Sequence, residues 1–332
     1  MAIPNNKKEL ISHSVIKVLY SRFKSFPSDD EQNRNAPFHV AFMRAFQGKL
    51  DGRVKNIPDF INLSSWMHGL NTSLGQSFFE SVAHILCDGE KREFKNKKLY
   101  HKQITAIAEI MIDLKNGTYN PSVEREELII NNNANGEKQD AQNFTADCFY
   151  ETDVDVVAIE LKSVRPNSGE MRGEKEKILK GKAVLKELFP QKNIKYIFGF
   201  PFDPTATDNV NYDKKRYLHY LVEAEKFIAE EDFLIADELW SFLANSNNAM
   251  QEILEIINSI ATPQFMNKFE ALQNKTMSDE EKRKLFEEWF LYSELYIMDN
   301  IRRTPSNTRL YNQCVFKNDG SYNIRRRELA LI

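Results

Sequence analysis

The chain has 332 residues and a nearly balanced charge, with 48 Asp and Glu against 45 Lys and Arg and a formal net charge of −3. This balance excludes a uniformly basic nucleic-acid-binding protein, and the length is enough for one large core or a core with an appendage. No apolar run approaches the ~20 residues that span a bilayer, and the first residues lack the apolar core of a signal peptide. Three widely spaced cysteines without a Cys-x-x-Cys pair argue against a zinc site and favour a reducing environment. We therefore expect a cytoplasmic protein.

Apolar residues at helical spacing dominate the first part of the chain. They predict an amphipathic helix over residues 8–24 and a second helix over 38–50, separated by a polar, acidic break. A helical region over 73–115 follows, and Glu80 is a lone acid among apolar neighbours in its first helix. The spacing leaves two interpretations of Glu80 open, a solvent-facing side chain or an extra carboxylate directed at a functional site.

Short apolar runs typical of strands occupy the middle of the chain. The predicted strands cover residues 127–131, 144–150, 154–164 and 194–200. A short polar turn around residues 151–153 joins the second and third of them as a hairpin. A basic helix over about 170–188 precedes the last strand, and the Pro- and Asp-containing segment 201–208 is expected to close this core.

Beyond this core the pattern is helical. The predicted helices cover residues 215–229, 235–243, 250–260, 263–273 and 279–301. The basic stretch after residue 301 is expected to form loops and short strands, with a disordered tail as the alternative. We accordingly predict an N-terminal helical region (1–72), a core (73–208) and a mostly helical C-terminal region (209–332).

The triplet Asp/Glu-x-Lys occurs five times, but only Glu160-Leu161-Lys162 lies in an apolar, β-branched run. The period of two in a strand places Glu160 and Lys162 on the same face. Two charges on one face of a buried strand require a reason, because burial of a charge is costly. The alternatives are a functional centre and a solvent-facing ion pair on a half-exposed edge strand.

Folding of the predicted hairpin brings Asp147 towards Glu160. Asp153 and Asp155 are rival first acids, but Asp153 is a turn residue and Asp155 does not share a strand end with Glu160. Carboxylate oxygens suit Mg²⁺, and a lysine beside the ion can stabilise the negative charge that grows on a phosphorane. The hairpin therefore predicts cleavage of a phosphodiester.

Positive charge is concentrated in two regions that could follow the phosphates of DNA. Residues 165–195 contain nine Lys and Arg against four Asp and Glu, and residues 301–332 contain seven against two. A solvated helix face is the alternative explanation for the first region. The candidate DNA contacts are Arg165, Asn167, Arg172, Lys175, Lys177, Arg302, Arg303 and Arg309.

The order of the core elements, together with Asp147, Glu160, Lys162 and Glu80, resembles the PD-(D/E)xK nuclease superfamily. Ala146 stands where the proline of that name would be. The resemblance implies an α/β fold with a restriction-endonuclease-like core. In that fold a mixed sheet is flanked by helices, and additional helical regions lie at both ends.

Three short segments are similar to type II restriction endonucleases of the TdeIII group. They are Leu-Gly-Gln-Ser-Phe-Phe-Glu (74–80), Thr-Ala-Asp-Cys-Phe-Tyr (145–150) and Glu-Leu-Lys-Ser-Val-Arg-Pro-Asn (160–167). The resemblance covers residues 60 to 260 in scattered blocks. It implies a Mg²⁺-dependent, site-specific deoxyribonuclease that cuts double-stranded DNA at a short palindrome.

The resemblance also implies roles for particular residues and partners. Asp147, Glu160 and the backbone carbonyl of Leu161 would hold Mg²⁺, Lys162 would orient the attacking water, and Glu80 would assist. A palindrome favours a homodimer, and host DNA would need a companion methyltransferase acting on the same site. Two alternatives remain: a structure-specific repair or recombination nuclease, and a non-catalytic protein that binds partners.

Overall fold

A five-stranded mixed sheet lies in the middle of the chain. The computed structural model describes residues 2–27, 37–50, 52–162, 168–301 and 304–330. The strands of the sheet are β1 (Glu90–Phe94), β4 (Phe144–Glu151), β5 (Asp155–Leu161), β6 (Asn193–Phe200) and β7 (Phe233–Ile235), while β2 (Lys98–Tyr100) and β3 (Lys138–Asp140) form a separate antiparallel pair. The spatial order is β1-β4-β5-β6-β7, with antiparallel pairing as far as β5 and parallel pairing beyond it.

Helices make up most of the remaining structure. The α-helices are α1 (Asn5–Lys24), α2 (Pro37–Met43), α3 (Gln47–Leu50), α4 (Ile57–Ser73), α5 (Phe79–Cys87), α6 (His101–Asn116), α7 (Val123–Asn132), α8 (Ser168–Leu188), α9 (Lys214–Tyr220), α10 (Asp237–Ala244), α11 (Ala249–Ile260), α12 (Phe265–Gln273), α13 (Asp279–Glu288), α14 (Tyr292–Asn300), α15 (Pro305–Tyr311) and α16 (Arg327–Ala330). The chain forms two compact units, one of Met1–Lys7 with Phe79–Glu255 and one of Lys8–Phe78 with Ile256–Ile332.

The sheet of the first unit is covered by helices. Strand β5 is buried along most of its length, from Val156 to Glu160. Helix α8 packs on β6, while α5 packs on β4 and α10 packs on α5 and β7. Successive residues of β5 point to opposite faces, so each face has its own apolar contacts. The expected α/β class, with a mixed sheet flanked by helices, is confirmed.

The segment predicted as the first strand, residues 127–131, is part of helix α7 instead. The Ser122 side chain accepts a hydrogen bond from the Arg125 amide, and the Ser122 amide donates to the Glu126 carboxylate. These contacts satisfy the exposed amides of a helix start. The buried residues Glu126 and Ile130 are four positions apart, which is helical spacing. The short Leu-Ile-Ile run therefore lies within a helix that buries Ile130 and exposes Leu128, and the strand prediction was wrong.

Two outer strands of the sheet were missed, β1 because its residues are mostly charged and β7 because it is three residues long. The outermost strand β1 has the sequence Glu-Lys-Arg-Glu-Phe, and charge is common on edge strands because it prevents pairing with other chains. At the other edge, β7 follows the acidic residues 230–232 and pairs with β6. The sheet therefore continues beyond residue 208, where the sequence predicted the core to close.

The second unit contains α2–α4 and α12–α16, together with most of α1. Its buried aromatic residues include Phe265, Phe269 and Trp289. The single helix predicted over 279–301 is two helices, because Phe290 has a φ of +55° that ends the first of them. The basic end contains α15 and α16 with one isolated bridge between Phe316 and Tyr322, so it is more helical than predicted.

Among the described residues, none of the helices combines the length and the apolar character that crossing a membrane requires.

Candidate active site

The hairpin of β4 and β5 places two carboxylates at neighbouring strand ends. The Thr152 hydroxyl accepts hydrogen bonds from the amides of Val154 and Asp155, which fixes the turn. The pairing of Cys148 with Ile159 then sets Asp147 and Glu160 as the next positions of the two strands. The Leu161 amide donates a hydrogen bond of 3.1 Å to Asp147 Oδ2, so the backbone of β5 holds this side chain.

Glu160 is 5% exposed and lies among lysines. Its Oε1 is 3.3 Å from Lys162 Nζ, and its Oε2 is 2.7 Å from Lys177 Nζ. Glu174, on the same helix as Lys177, completes the group, with Oε1 2.8 Å from Lys162 Nζ and Oε2 2.9 Å from Lys177 Nζ. Two carboxylates and two ammonium groups thus alternate around one point next to the end of β5.

The two carboxylates of this group have opposite pKa shifts. Burial, together with the nearby charge of Asp147, raises the pKa of Glu160 to about 6. Burial also acts on Glu174, but hydrogen bonds and charge from Lys162 and Lys177 outweigh it and lower the pKa of Glu174. Burial lowers the pKa of Lys162, whereas the carboxylates of Glu160 and Glu174 raise it. The net shift is upward. Lys162 is therefore charged at neutral pH. The ionised form of Glu160 would be stabilised by a further cation nearby.

Glu80 belongs to the same end of the sheet through a lysine that the sequence did not reveal. Lys91 Nζ lies 3.1 Å from each Glu80 carboxylate oxygen and 3.4 Å from Asp147 Oδ1. Lys91 thus links Glu80 to Asp147, and a functional role of Glu80 stays a prediction. Lys91 could not be singled out because it lies in the charged edge strand β1. Glu174 was also missed, since nothing in its helix indicates that it meets Lys162.

The oxygens at this strand end suit a hard cation. Asp147, Glu160 and the carbonyl of Leu161 are the ligand types that Mg²⁺ prefers. In the described ranges the four carboxylates of the site face three lysines, which leaves one negative charge uncompensated. No group of three or more His, Cys, Asp or Glu among these residues is arranged to hold a metal ion. Lysine ammonium groups lie against the carboxylates instead, and a cation would displace or share these contacts.

The residues predicted to contact DNA lie in different environments. Lys175 is fully buried, with its Nζ 2.7 Å from Glu126 Oε2 and 2.6 Å from Asp232 Oδ2, so its predicted phosphate contact was wrong. Lys177 is engaged with Glu160 and Glu174, as described above. Arg172 is half-buried on α8, and Arg309 is exposed on α15. The other candidates lie outside the described residues: Arg165, Asn167, Arg302 and Arg303.

Comparison with known proteins gives two concordant matches. Residues 3–261 match the family described as "Type II restriction endonuclease, HinfI". The chain is also 44% identical to the type II restriction enzyme MjaII of Methanocaldococcus jannaschii, over 98% of this chain and 96% of that protein. The type II restriction endonuclease assignment made from the sequence is thereby confirmed, and membership of the TdeIII group stays a prediction. The chain belongs to the HinfI family of type II restriction endonucleases, which are site-specific deoxyribonucleases.

Proposed function

We propose that the first unit carries a Mg²⁺-dependent PD-(D/E)xK centre that hydrolyses double-stranded DNA at one short palindromic sequence. The pairing of β4 with β5 is the observation that carries this proposal, because it sets Asp147 beside Glu160 and Leu161, with Lys162 next in the chain. Family membership supports DNA as the substrate. The same membership favours this function over a structure-specific nuclease or a non-catalytic binding protein.

Three oxygen donors of this chain would hold Mg²⁺: the carboxylates of Asp147 and Glu160 and the backbone carbonyl of Leu161. When bound, the ion supplies a Lewis acid for the phosphate and lowers the pKa of a coordinated water. The raised pKa of Glu160 supports this role, since a buried carboxylate beside a second one is relieved of repulsion by a cation. Glu80 would assist directly or through water.

Lys162 would act on the reacting atoms from its position beside Glu160. Its ammonium group orients the attacking water and stabilises the negative charge that develops on the phosphate. Glu174, on helix α8, is proposed as a positioning residue, because its Oε1 accepts a hydrogen bond of 2.8 Å from Lys162 Nζ. Burial lowers the pKa of Lys162, but the carboxylates of Glu160 and Glu174 raise it by more, which favours the charged form.

The enzyme is also proposed to contact DNA phosphates and to form a homodimer. Arg172 and Arg309 are the described side chains proposed to contact DNA phosphates. A palindromic site is read most simply by a protein with twofold symmetry, which favours a homodimer. A companion methyltransferase acting on the same sequence would protect host DNA.

We further propose that the nuclease core predicted over 73–208 extends through β7 and α10, which complete its sheet and one covering layer.

The test is the variant Lys162→Ala, with Lys180→Ala on α8 as the matched control. Lys180 forms an ordinary i,i+4 pair with Glu176 on the same helix that carries Glu174. We expect Lys162→Ala to bind DNA normally while cleavage falls by about 100-fold or more, the usual scale for loss of one group that stabilises charge in the transition state. The control should cleave normally. Unimpaired cleavage by Lys162→Ala would remove this residue from the mechanism.

Digestion of long plasmid DNA with Mg²⁺ tests the specificity. Discrete bands are expected from a sequence-specific enzyme, whereas a smear or cutting restricted to junctions would indicate an enzyme that recognises DNA structure.

A further inference from the structure

Two cysteines far apart in the sequence meet between α5 and β4, next to Asp147. Cys87 is the last residue of α5, and Cys148 follows Asp147 in β4. Their Sγ atoms are 3.4 Å apart, and Cys87 Sγ also donates a hydrogen bond of 3.1 Å to the carbonyl of Ala83. The backbone passes close to both sulfurs, since a Cβ on Gly89 would lie 2.8 Å from Cys87 Sγ and 3.3 Å from Cys148 Sγ. The glycine thus permits a contact that any other residue would disturb.

The two thiols differ in access to solvent. Cys148 is fully buried, whereas Cys87 is partly exposed and lines a cavity of about 830 Å³. Lys7 lines the same cavity, and its Nζ donates a hydrogen bond of 2.7 Å to the carbonyl of Leu86 at the end of α5. The lysine thereby offsets the negative end of the helix dipole at Cys87. A small molecule that enters the cavity meets Cys87 first.

The accessible thiol is also more acidic than an ordinary cysteine, because a hydrogen bond from Cys148, the amide of Gly89 and the charge of Lys7 lower the pKa of Cys87 against an opposing effect of burial. A partly exposed thiol in contact with a buried thiol is typical of a nucleophilic cysteine beside a resolving cysteine.

We propose that Cys87 and Cys148 form a thiol–disulfide exchange site at which a small-molecule disulfide produces an intramolecular disulfide between α5 and β4. The Cys87 thiolate attacks one sulfur of the reagent, forms a mixed disulfide and releases one thiolate, which takes up a proton. The Cys148 sulfur then loses its proton, attacks Cys87 Sγ and releases the second thiol. In sum, two protein thiols are oxidised to one disulfide, and the reagent is reduced to two thiols.

Disulfide formation would act on the elements that carry the site. The sulfurs must approach by more than 1 Å, from 3.4 Å to about 2.05 Å, and we expect this closure to displace α5 and β4 as well as to rotate the two side chains. Helix α5 carries Glu80, and its His84 Nε2 donates a hydrogen bond of 2.7 Å to the carbonyl of Asp147. A displacement of about 1 Å from the productive geometry costs on the order of 100-fold in rate. We therefore expect the oxidised enzyme to cleave DNA at least about tenfold more slowly, a consequence that rests on the proposed function.

The experiment uses the full-length protein with Cys314→Ser, which removes the exposed third thiol. The protein is incubated with oxidised glutathione, the remaining thiols are alkylated, and peptides are identified by mass spectrometry before and after reduction. We expect a reducible cross-link between the peptides containing Cys87 and Cys148. In the same background, Cys148→Ala should stop at a mixed disulfide on Cys87, and Cys87→Ala should leave Cys148 unmodified. Circular dichroism of each variant establishes that it is folded.

The exchange site and its effect on DNA cleavage are tested by separate results. Absence of the cross-link in folded protein, or modification of Cys148 in the Cys87→Ala variant, overturns the exchange site whatever the cleavage activity. A complete cross-link that leaves the cleavage rate unchanged overturns the proposed coupling to the catalytic strand. Loss of cleavage that is restored by dithiothreitol, and that is absent from the Cys87→Ala variant, supports both. If the reduced protein has no cleavage activity, the proposed function fails while the cross-link test remains valid.

Discussion

The buried lysine of α8 provides a prediction whose magnitude follows from the structure. Lys175 is completely buried between the carboxylates of Glu126 and Asp232, at 2.7 and 2.6 Å. In Lys175→Met the methionine fills a similar volume, but two buried carboxylates lose their common cation. Removing one partner from a buried ion group costs about 3–5 kcal/mol. We expect the free energy of unfolding to fall by that amount, as measured by urea denaturation followed by circular dichroism.

Lys180→Met is the matched control, because Lys180 pairs with Glu176 on the same helix near the surface. Loss of such a surface pair costs about 0–1 kcal/mol. Burial raises the pKa of Glu126 and Lys175 lowers it, so the variant without Lys175 has a still higher pKa at Glu126. Its folded state then binds protons more tightly than its unfolded state, and the deficit in stability should shrink as the pH falls. A Lys175→Met variant that is no less stable than Lys180→Met would refute this reasoning.

Three further predictions concern other parts of the chain. Glu174→Gln should reduce cleavage by roughly tenfold to a hundredfold, because it weakens a hydrogen bond between charged groups worth about 1.5–3 kcal/mol, whereas Glu176→Gln should leave the rate unchanged. Gly181→Ala should lower the free energy of unfolding by about 1–3 kcal/mol in urea denaturation, because its new methyl would overlap the Tyr196 ring on β6. Gly173→Ala, with no atom within 4 Å of the new methyl, should instead stabilise the helix. Burial lowers the pKa of His13 from 6.5 to about 3. The unfolded chain therefore binds a proton at His13 at a higher pH than the folded protein does. The free energy of unfolding should accordingly fall by roughly 1.4 kcal/mol per pH unit as the pH drops below 6.5. Urea denaturation at pH 7 and pH 5 should show that His13→Phe lacks this loss, and an equal loss in both proteins would contradict the assignment.

Local chemistry made the β4–β5 hairpin and its charged residues predictable. Glu160 and Lys162 could be identified because an apolar, β-branched strand rarely carries charge, and the short turn before it fixed the register with Asp147. Lys91 and Glu174 could not be identified, because they meet the site only through tertiary packing and lie in segments where charge is ordinary. For the same reason Lys175 was misjudged, since a lysine in a basic helix has no local signal that distinguishes a buried ion pair from a solvated side chain.

The errors in the fold have a similar origin. Residues 127–131 have the composition of a short strand, and the decision between strand and helix depended on the cap at Ser122. The edge strand β1 is mostly charged and the edge strand β7 is three residues long, so neither has the apolar run that identifies a strand from its sequence. Both are formed by hydrogen bonds to an existing sheet. At such positions the tertiary contacts of a segment decide its secondary structure more than its own composition does.

The division of the chain has a consequence for its biosynthesis. Ser293 donates hydrogen bonds of 2.9 and 2.7 Å to the carboxylate of Glu9, a residue that leaves the ribosome almost the whole chain earlier. The unit that carries the sheet has all its residues once Glu255 has been made, whereas the other unit needs the segment 256–332 as well. Tyr20 of α1, which is buried in the finished protein and packs on Phe269 with ring centroids 4.6 Å apart, therefore lacks this late partner during translation. A nascent chain of this enzyme is most exposed to aggregation, and most dependent on chaperones, in that interval.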